Sequence, residues 1–245
     1  MRDIELMLLM FFFLVLIPWY SAKGRQAFYV NLNGVKMGME IYNKLVKLYS
    51  ENFVRALNNV EYRMLCSNNF KNLSLKRLGV NFDVKNNYFN DCNDDVTMKL
   101  VRNGNYVTLL VIWDKGKIYR RKHIIGIAFN GSFKWKFAMF KQVYKIGNKT
   151  EISYISDNKL FKNGFGCSFE IYECDEMEVS LTFKILGKGA IYAICEYANT
   201  PIPNDVEINY YITSEFNNII VLRNLVKRKF LTMGKMELLV DSDSK

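Results

Sequence analysis

Val179-Ser-Leu-Thr-Phe-Lys-Ile185 alternates strictly: Val179, Leu181, Phe183 and Ile185 are apolar, and Ser180, Thr182 and Lys184 between them are polar. A period of two belongs to a strand with one face buried and one wet. Val206, Ile208, Tyr210 and Ile212 repeat the pattern against Glu207, Asn209, Tyr211 and Thr213, and Phe133, Trp135 and Phe137 do so over a shorter stretch. Further runs rich in β-branched and aromatic residues occupy 106–113, 124–129, 168–173, 191–197 and 219–222, most of them bounded by Gly, Asn or Asp. So many short strands predict a mostly β fold of antiparallel β-sandwich or jelly-roll-like units, and the lack of alternating helices argues against a parallel α/β sheet.

The N-terminal third reads differently. Ala27-Phe-Tyr-Val-Asn-Leu32 is an opening strand ended by the turn signal Asn33-Gly34. Over residues 39–57, Ile41, Leu45, Leu48, Phe53 and Ala56 recur at spacings of three to five, which predicts one amphipathic N-terminal helix. Tyr42, Val46, Tyr49 and Val54 interrupt its polar face, so two strands would use the same residues. Beyond Val60 the period of two takes over.

The 245 residues are half apolar and 24% charged, with 34 Lys and Arg against 24 Asp and Glu for a net charge of +10. That composition excludes a disordered chain, and 14 Gly with 3 Pro exclude a collagen-like one. Residues 6–18 (LMLLMFFFLVLIP) form an apolar run of signal-peptide length, short of the ~20 residues that span a bilayer. Ala22 and Gly24 place small residues for a cut before Arg25, so 1–24 reads as a signal peptide; a retained anchor is the rival reading. The mature chain then has no membrane span and is secreted. Asn72, Asn130 and Asn148 each begin an N-glycosylation triplet. Cys66, Cys92, Cys167, Cys174 and Cys195 allow two disulfides with one thiol left over, Cys167 with Cys174 and Cys66 with Cys92 being the readiest pairs. With a single His123 and no CxxC there is no zinc pattern. Cys66 and Cys174 are each followed seven residues on by a leucine, a weak repeat, and strand-like sequence breaks at 140–149. Residues 25–140 and 150–245 are accordingly expected as two related β-sandwich units.

Three segments resemble the farnesoic acid O-methyltransferase-like domain family, a β-rich module found singly and in tandem. Phe169-Glu-Ile-Tyr-Glu-Cys-Asp-Glu-Met-Glu-Val-Ser-Leu-Thr182 is similar to its F-x-V-x-A-C-x-D-A-H-I-A-L strand, and Tyr211-Ile-Thr-Ser-Glu-Phe-Asn-Asn-Ile-Ile-Val-Leu-Arg223 to its Y-E-I-x-I-G-G-W-x-N-T-x-S-V-I-R. Val111-Ile-Trp-Asp-Lys-Gly-Lys-Ile118, followed by Ile125-Gly-Ile-Ala-Phe-Asn-Gly-Ser-Phe-Lys-Trp-Lys136, resembles the closing strands. A closing half ahead of an opening half implies a diverged first copy and a second, truncated one. The family's Asp-Ala-His is Glu176-Met177-Glu178 here, and its Gly-Gly-Trp is Ser214-Glu215-Phe216, so roles that need that His or those glycines do not transfer.

Methyl transfer would need a pocket for S-adenosylmethionine, and the nearest Gly-rich turn, Leu186-Gly-Lys-Gly189, lies between strands and reads as a hairpin turn. No catalytic, cofactor or metal constellation emerges. His123, beside Arg120, Arg121 and Lys122, reads as solvent-facing, and Asp175, Glu176 and Glu178 as a charged turn. Trp113, Trp135, Phe169, Phe183, Tyr210 and Phe216 read as core. Two basic clusters, Lys115, Lys117, Arg120, Arg121 and Lys122, and Lys227, Arg228 and Lys229 after Arg223, are the candidate anion-binding sites. The sequence therefore points to a secreted non-enzymatic binding or interaction module for an anionic glycan, a lipid or another protein, with no nucleic-acid partner. The alternative implied by the resemblance is a sesquiterpenoid-binding protein or an enzyme of the farnesoic acid O-methyltransferase kind.

Overall fold

A computed structural model describes residues 27–67, 70, 73–80, 96–113, 122–155, 158–161, 164–170, 174–198, 210–215, 219–224 and 230–240. A short hairpin, β1 (Phe28–Val30) and β2 (Lys36–Gly38), leads into α1 (Met39–Leu48), α2 (Glu51–Arg55) and α3 (Asn59–Cys66). Strands then follow: β3 (Ser74–Val80), β4 (Val96–Asn103), β5 (Tyr106–Trp113), β6 (Lys122–Ile146), β7 (Lys149–Tyr154), β8 (Asn158–Phe161), β9 (Gly164–Glu170), β10 (Glu176–Ala198), β11 (Tyr210–Glu215), β12 (Ile219–Asn224) and β13 (Phe230–Val240). The fold is mostly β, and every strand pair is antiparallel.

Two long strands organise the nine-stranded main sheet. β6 and β10 pair from Lys145 with Glu176 to His123 with Tyr197. Along its other edge β10 takes β5 over Met177–Lys184, with β4 and β3 beyond, and then β13 over Gly189–Ala198. β6 takes β7 at one end and β9, then β8, at the other. The long pair thus carries two half-sheets. One buried cluster draws on both, including Leu109, Val179 and Leu181 from the first and Ile127, Ile191 and Leu238 from the second. Phe165 of β9 meets Phe183 of β10 and Phe140 of β6 at ring separations of 5.0 and 6.3 Å. The half-sheets therefore face each other as a sandwich made from one continuous sheet. β6 runs through residue 140 without a break and pairs with residues 176–197, so both expected units, 25–140 and 150–245, contribute to one sheet and one core.

The chain doubles over where the pairing register shifts between Phe183 and Lys184 and where Gly187 and Gly189 hold φ of 125° and 141°. A bulge and left-handed glycines are what a sharply turned strand needs.

The predicted helix over 39–57 exists as two helices, and a third covers 59–66, where strand was expected. Ser50 accepts from the Phe53 N–H at 3.1 Å and caps α2, and Asn58 with Glu61 forms a full capping box on α3. These turns let Tyr42, Leu45, Tyr49, Phe53, Val54, Leu57 and Leu65 all face one way, onto Val101, Leu110 and Ile112 of the first half-sheet. Asn31 ties the opening hairpin to this layer, donating to the Leu57 carbonyl at 2.5 Å and accepting from Val35 N–H at 2.8 Å. On the far side, the β11–β12 hairpin lies against β6, β8, β9 and β10, beside a small buried cluster of Ala128, Ala190, Tyr192 and Ile194.

A Cβ on Gly187 would sit 2.0 Å from the Ser132 carbonyl oxygen, at a φ that L residues resist, whereas Gly34 at φ 74° has open space. Gly187→Ala should lower stability by at least about 2 kcal/mol and Gly34→Ala by about 1 kcal/mol. Thermal unfolding of the two variants checks the difference.

Candidate functional site

The face of β10 opposite the main core carries Glu176, Glu178, Ser180 and Thr182, because residues two apart share a face. The helices cover it, and its polar groups are matched across the seam. Glu178, 4% exposed, accepts from Ser50 Oγ at 2.5 Å. Glu176 accepts from Asn52 Nδ2 at 3.0 Å and pairs with Lys145 Nζ at 3.3 Å. On β6, the fully buried Lys141 donates to Glu61 Oε1 at 2.7 Å and to the Ala56 carbonyl at 3.2 Å, with its ammonium 4.9 Å from the centre of the Phe53 ring. Lys99 of β4 donates to the Tyr49 carbonyl. Thr108 and Thr182 share a hydrogen bond at 3.1 Å beneath.

Burial pushes the Glu178 carboxyl up to about 7 against the hydrogen bond from Ser50 and the charge of Lys99. Burial also holds the Lys141 ammonium below its ordinary value, opposed by Glu61 and Glu178. The Asn52 hydrogen bond and Lys145 draw Glu176 down. Glu178 with Ser50, Glu176 with Asn52 and Lys141 with Glu61 join helix to sheet, while Lys145 pairs with Glu176 within the sheet. Among the described residues no group of three or more His, Cys, Asp and Glu could hold a metal.

The charged turn expected at 175–178 is split by this arrangement. Asp175 does sit at a turn, accepting the Gly147 N–H at 2.6 Å, while Glu176 and Glu178 enter the seam. The signal was the shared parity of Glu176 and Glu178, but alternation does not tell an open face from one that helices cover. His123 is likewise buried, not solvent-facing: its ring stacks on Phe169 at 5.7 Å and meets Trp113 edge-on at 5.5 Å. Trp113, Phe169 and Phe183 lie in the main core, with Trp135 packed against it. Tyr210 starts β11, and Phe216 lies outside the described residues.

No disulfide joins the described cysteines. Cys167 and Cys174 are buried thiols in the main core, where they pack as small apolar side chains. Burial and Asp175 push the Cys174 thiol up to about 11. Cys66 is a half-buried thiol at the end of α3, and its expected partner Cys92 lies outside the described residues. Asn148 is exposed in the turn after β6, Asn130 is exposed within β6, and Asn72 lies outside the described residues. So do Lys115, Lys117, Arg120, Arg121, Lys227, Arg228 and Lys229, while Lys122 opens β6 opposite Glu170. The signal-peptide reading of 1–24 falls there too. No helix of the described residues is long and apolar enough to cross a membrane.

No family model and no curated protein matches this sequence. Solved structures to which the chain is similar include three from bacterial surface proteins. One comes from work on pH-induced modulation of Streptococcus parasanguinis adhesion by Fap1 fimbriae, at TM-score 0.34 and 8% identity over 70% of this chain and 97% of that one. Another is ACE19, the collagen-binding subdomain of the Enterococcus faecalis surface protein ACE, at 0.32 and 10% over 68% and 96%. The third is the KRT10-binding region domain of the pneumococcal serine-rich repeat protein PsrP, at 0.29 and 10% over 51% and 86%.

Between 4.5, the ordinary carboxyl value, and about 7, the folded chain keeps on Glu178 a proton that the unfolded chain has released. Stability should therefore fall by about 3 kcal/mol as pH rises through that window and stay flat above it on this account. Glu178→Gln should remove most of the slope in urea titrations run from pH 4.5 to 8. Breaking the buried pair with Lys141→Met should cost about 3 kcal/mol, and adding Glu61→Leu should recover most of it, read from the same titrations.

Proposed function

We propose that the chain is an extracellular, non-enzymatic module that binds an anionic macromolecule at its surface. One observation carries this reading. Between residues 115 and 150 the chain has ten Lys and Arg and no Asp or Glu, and this run includes β6, the strand around which the main sheet is organised. Among the described residues of the run, Lys141 and Lys145 are the two paired with the seam carboxylates Glu61 and Glu176. A net charge of +10 adds long-range attraction for polyanions.

The seam supports a non-enzymatic reading, since Glu61, Lys141, Glu176 and Glu178 are each engaged by a partner within a packing layer between helices and sheet. The apolar run at 6–18 and the exposed Asn148 triplet support residence outside the cell. The resemblance to farnesoic acid O-methyltransferase-like modules enters only as a likeness between β-rich modules.

Retention of the full-length protein on immobilised heparin, against a neutral dextran matrix, tests the proposal. Retention on heparin that weakens steeply with salt is expected. Equal behaviour on both matrices would refute the anionic-ligand reading.

A further inference from the structure

Among the described residues no strand flanks the middle of the long β6–β10 pair. β5 pairs with β10 as far as Lys184 and β13 from Gly189, while β9 pairs with β6 as far as Ala128 and β7 from Lys141. What remains between them is a two-stranded ribbon with Lys136 opposite Lys184, Lys134 opposite Leu186 and Ser132 opposite Lys188. Residues paired directly across a ladder share a face, and so do residues two apart. Phe133 and Trp135 turn inward and pack on the main core. The opposite face therefore carries Lys134, Lys136, Lys184 and Lys188, with Leu186 and Ser132 among them.

Like charges directly opposite each other destabilise a sheet, and among the described residues no acid forms an ion pair with these lysines. The described residues make ion pairs through Arg55, Lys141 and Lys145, none of which lies on the ribbon, and no acid occurs in 179–195 or 115–150. Lys184 lies over the Tyr106 ring, 5.7 Å from its centre. Ser132, Lys134, Lys136, Leu186 and Lys188 are exposed. Lysines roughly 5 Å apart across the ribbon and roughly 7 Å apart along it suit a linear chain of closely repeated single charges.

We infer that this lysine ribbon is the binding site for a sulfated polysaccharide. The inference rests on the anionic-ligand reading above and gives it a location and a ligand class. A sulfated chain fits better than the other polyanions. Single-stranded nucleic acid needs open aromatic platforms for its bases, and the ribbon's Phe133 and Trp135 face the core. A bilayer needs several clustered apolar side chains to insert, and the described residues of this face offer only two separated leucines, Leu186 on the ribbon and Leu239 of β13 beyond Lys188. Lysine ammonium groups act as point charges suited to sulfates that are read by charge and spacing.

The test uses the full chain and two variants of equal charge. In the first, Lys134, Lys136, Lys184 and Lys188 become Gln. In the second, the exposed Lys36, Lys47, Lys76 and Lys149, which lie off the ribbon, become Gln. At about fivefold per lysine, heparin binding should weaken at least 30-fold in the first and less than threefold in the second. Unmodified protein should bind hyaluronan, which has carboxylates but no sulfates, at least tenfold more weakly than heparin. Equal losses in the two variants, or no loss in the first, would overturn the site while leaving the anionic-ligand reading standing. Equal or tighter binding to oligo-dT or to phosphatidylserine vesicles would overturn the ligand class. Failure of the unmodified protein to bind heparin in preference to dextran would remove both. Matched circular dichroism and melting curves show that both variants are folded.

Discussion

Unbroken pairing of β6 with β10 is the constraint on which the rest depends. Two strands of more than twenty residues cannot stay flat while both half-sheets bury the same core, so they must turn, and the register shift at Phe183 with Gly187 and Gly189 lets them do so. Once they turn, Phe183 and Phe140 of one half reach Phe165 of the other. The sandwich is then closed by side chains of the same two strands that link its halves, so no boundary between independent units is left in the described sheet.

The face of each strand turned away from that core has to meet something else. Under the first half-sheet it meets three short helices, and the seam there is part apolar, through Leu110 and Ile112, part ionic, through Lys141 and Glu61, and part hydrogen-bonded, through Glu178 and Ser50. Buried ion pairs contribute little net stability once desolvation is counted, but a misplaced partner leaves an uncompensated charge. Such pairs therefore favour one placement of the helices over sliding alternatives. An apolar seam alone would tolerate a shift of one turn, whereas Lys141 has to find Glu61 and Glu178 has to find Ser50.

Much of the β architecture was legible because alternation is a local signal with a direct geometric meaning. Val179, Leu181, Phe183 and Ile185 are all buried, as their spacing predicts. The helical layer was less legible. Tyr42, Tyr49 and Val54 looked like defects in a long amphipathic helix, yet the breaks at Ser50 and Asn58 rotate them onto the sheet. The capping box formed by Asn58 and Glu61 was present in the sequence as an N-terminus signal, although it falls where the apolar period had already changed. Pairing of Cys167 with Cys174 was inferred from proximity along the chain, which does not report that each packs separately as a core residue. His123 looked exposed because its neighbours in sequence are cationic, whereas its neighbours in space are Phe169 across the ladder and Trp113 from the other half-sheet.

A strand's outer face has no single environment, and β10 shows why sequence alone could not locate its surface. Glu178, Ser180 and Thr182 are polar yet buried, because helices cover them. Lys184, at the end of the pairing with β5, and Leu186 and Lys188 beyond it follow on the same face, and all but the partly covered Lys184 stand open. Beyond the turning glycines, Ala190, Tyr192 and Ile194 are buried again beside the β11–β12 hairpin. The polar letters that mark water in the middle of the strand mark an interlayer seam at its start. What separates them is whether a second layer reaches that far, which topology decides and alternation does not. Among the described residues the lysines therefore lie at a stretch of the strand that the helices do not cover, where charge can be displayed without the desolvation cost borne by Lys141 a few residues away on its partner.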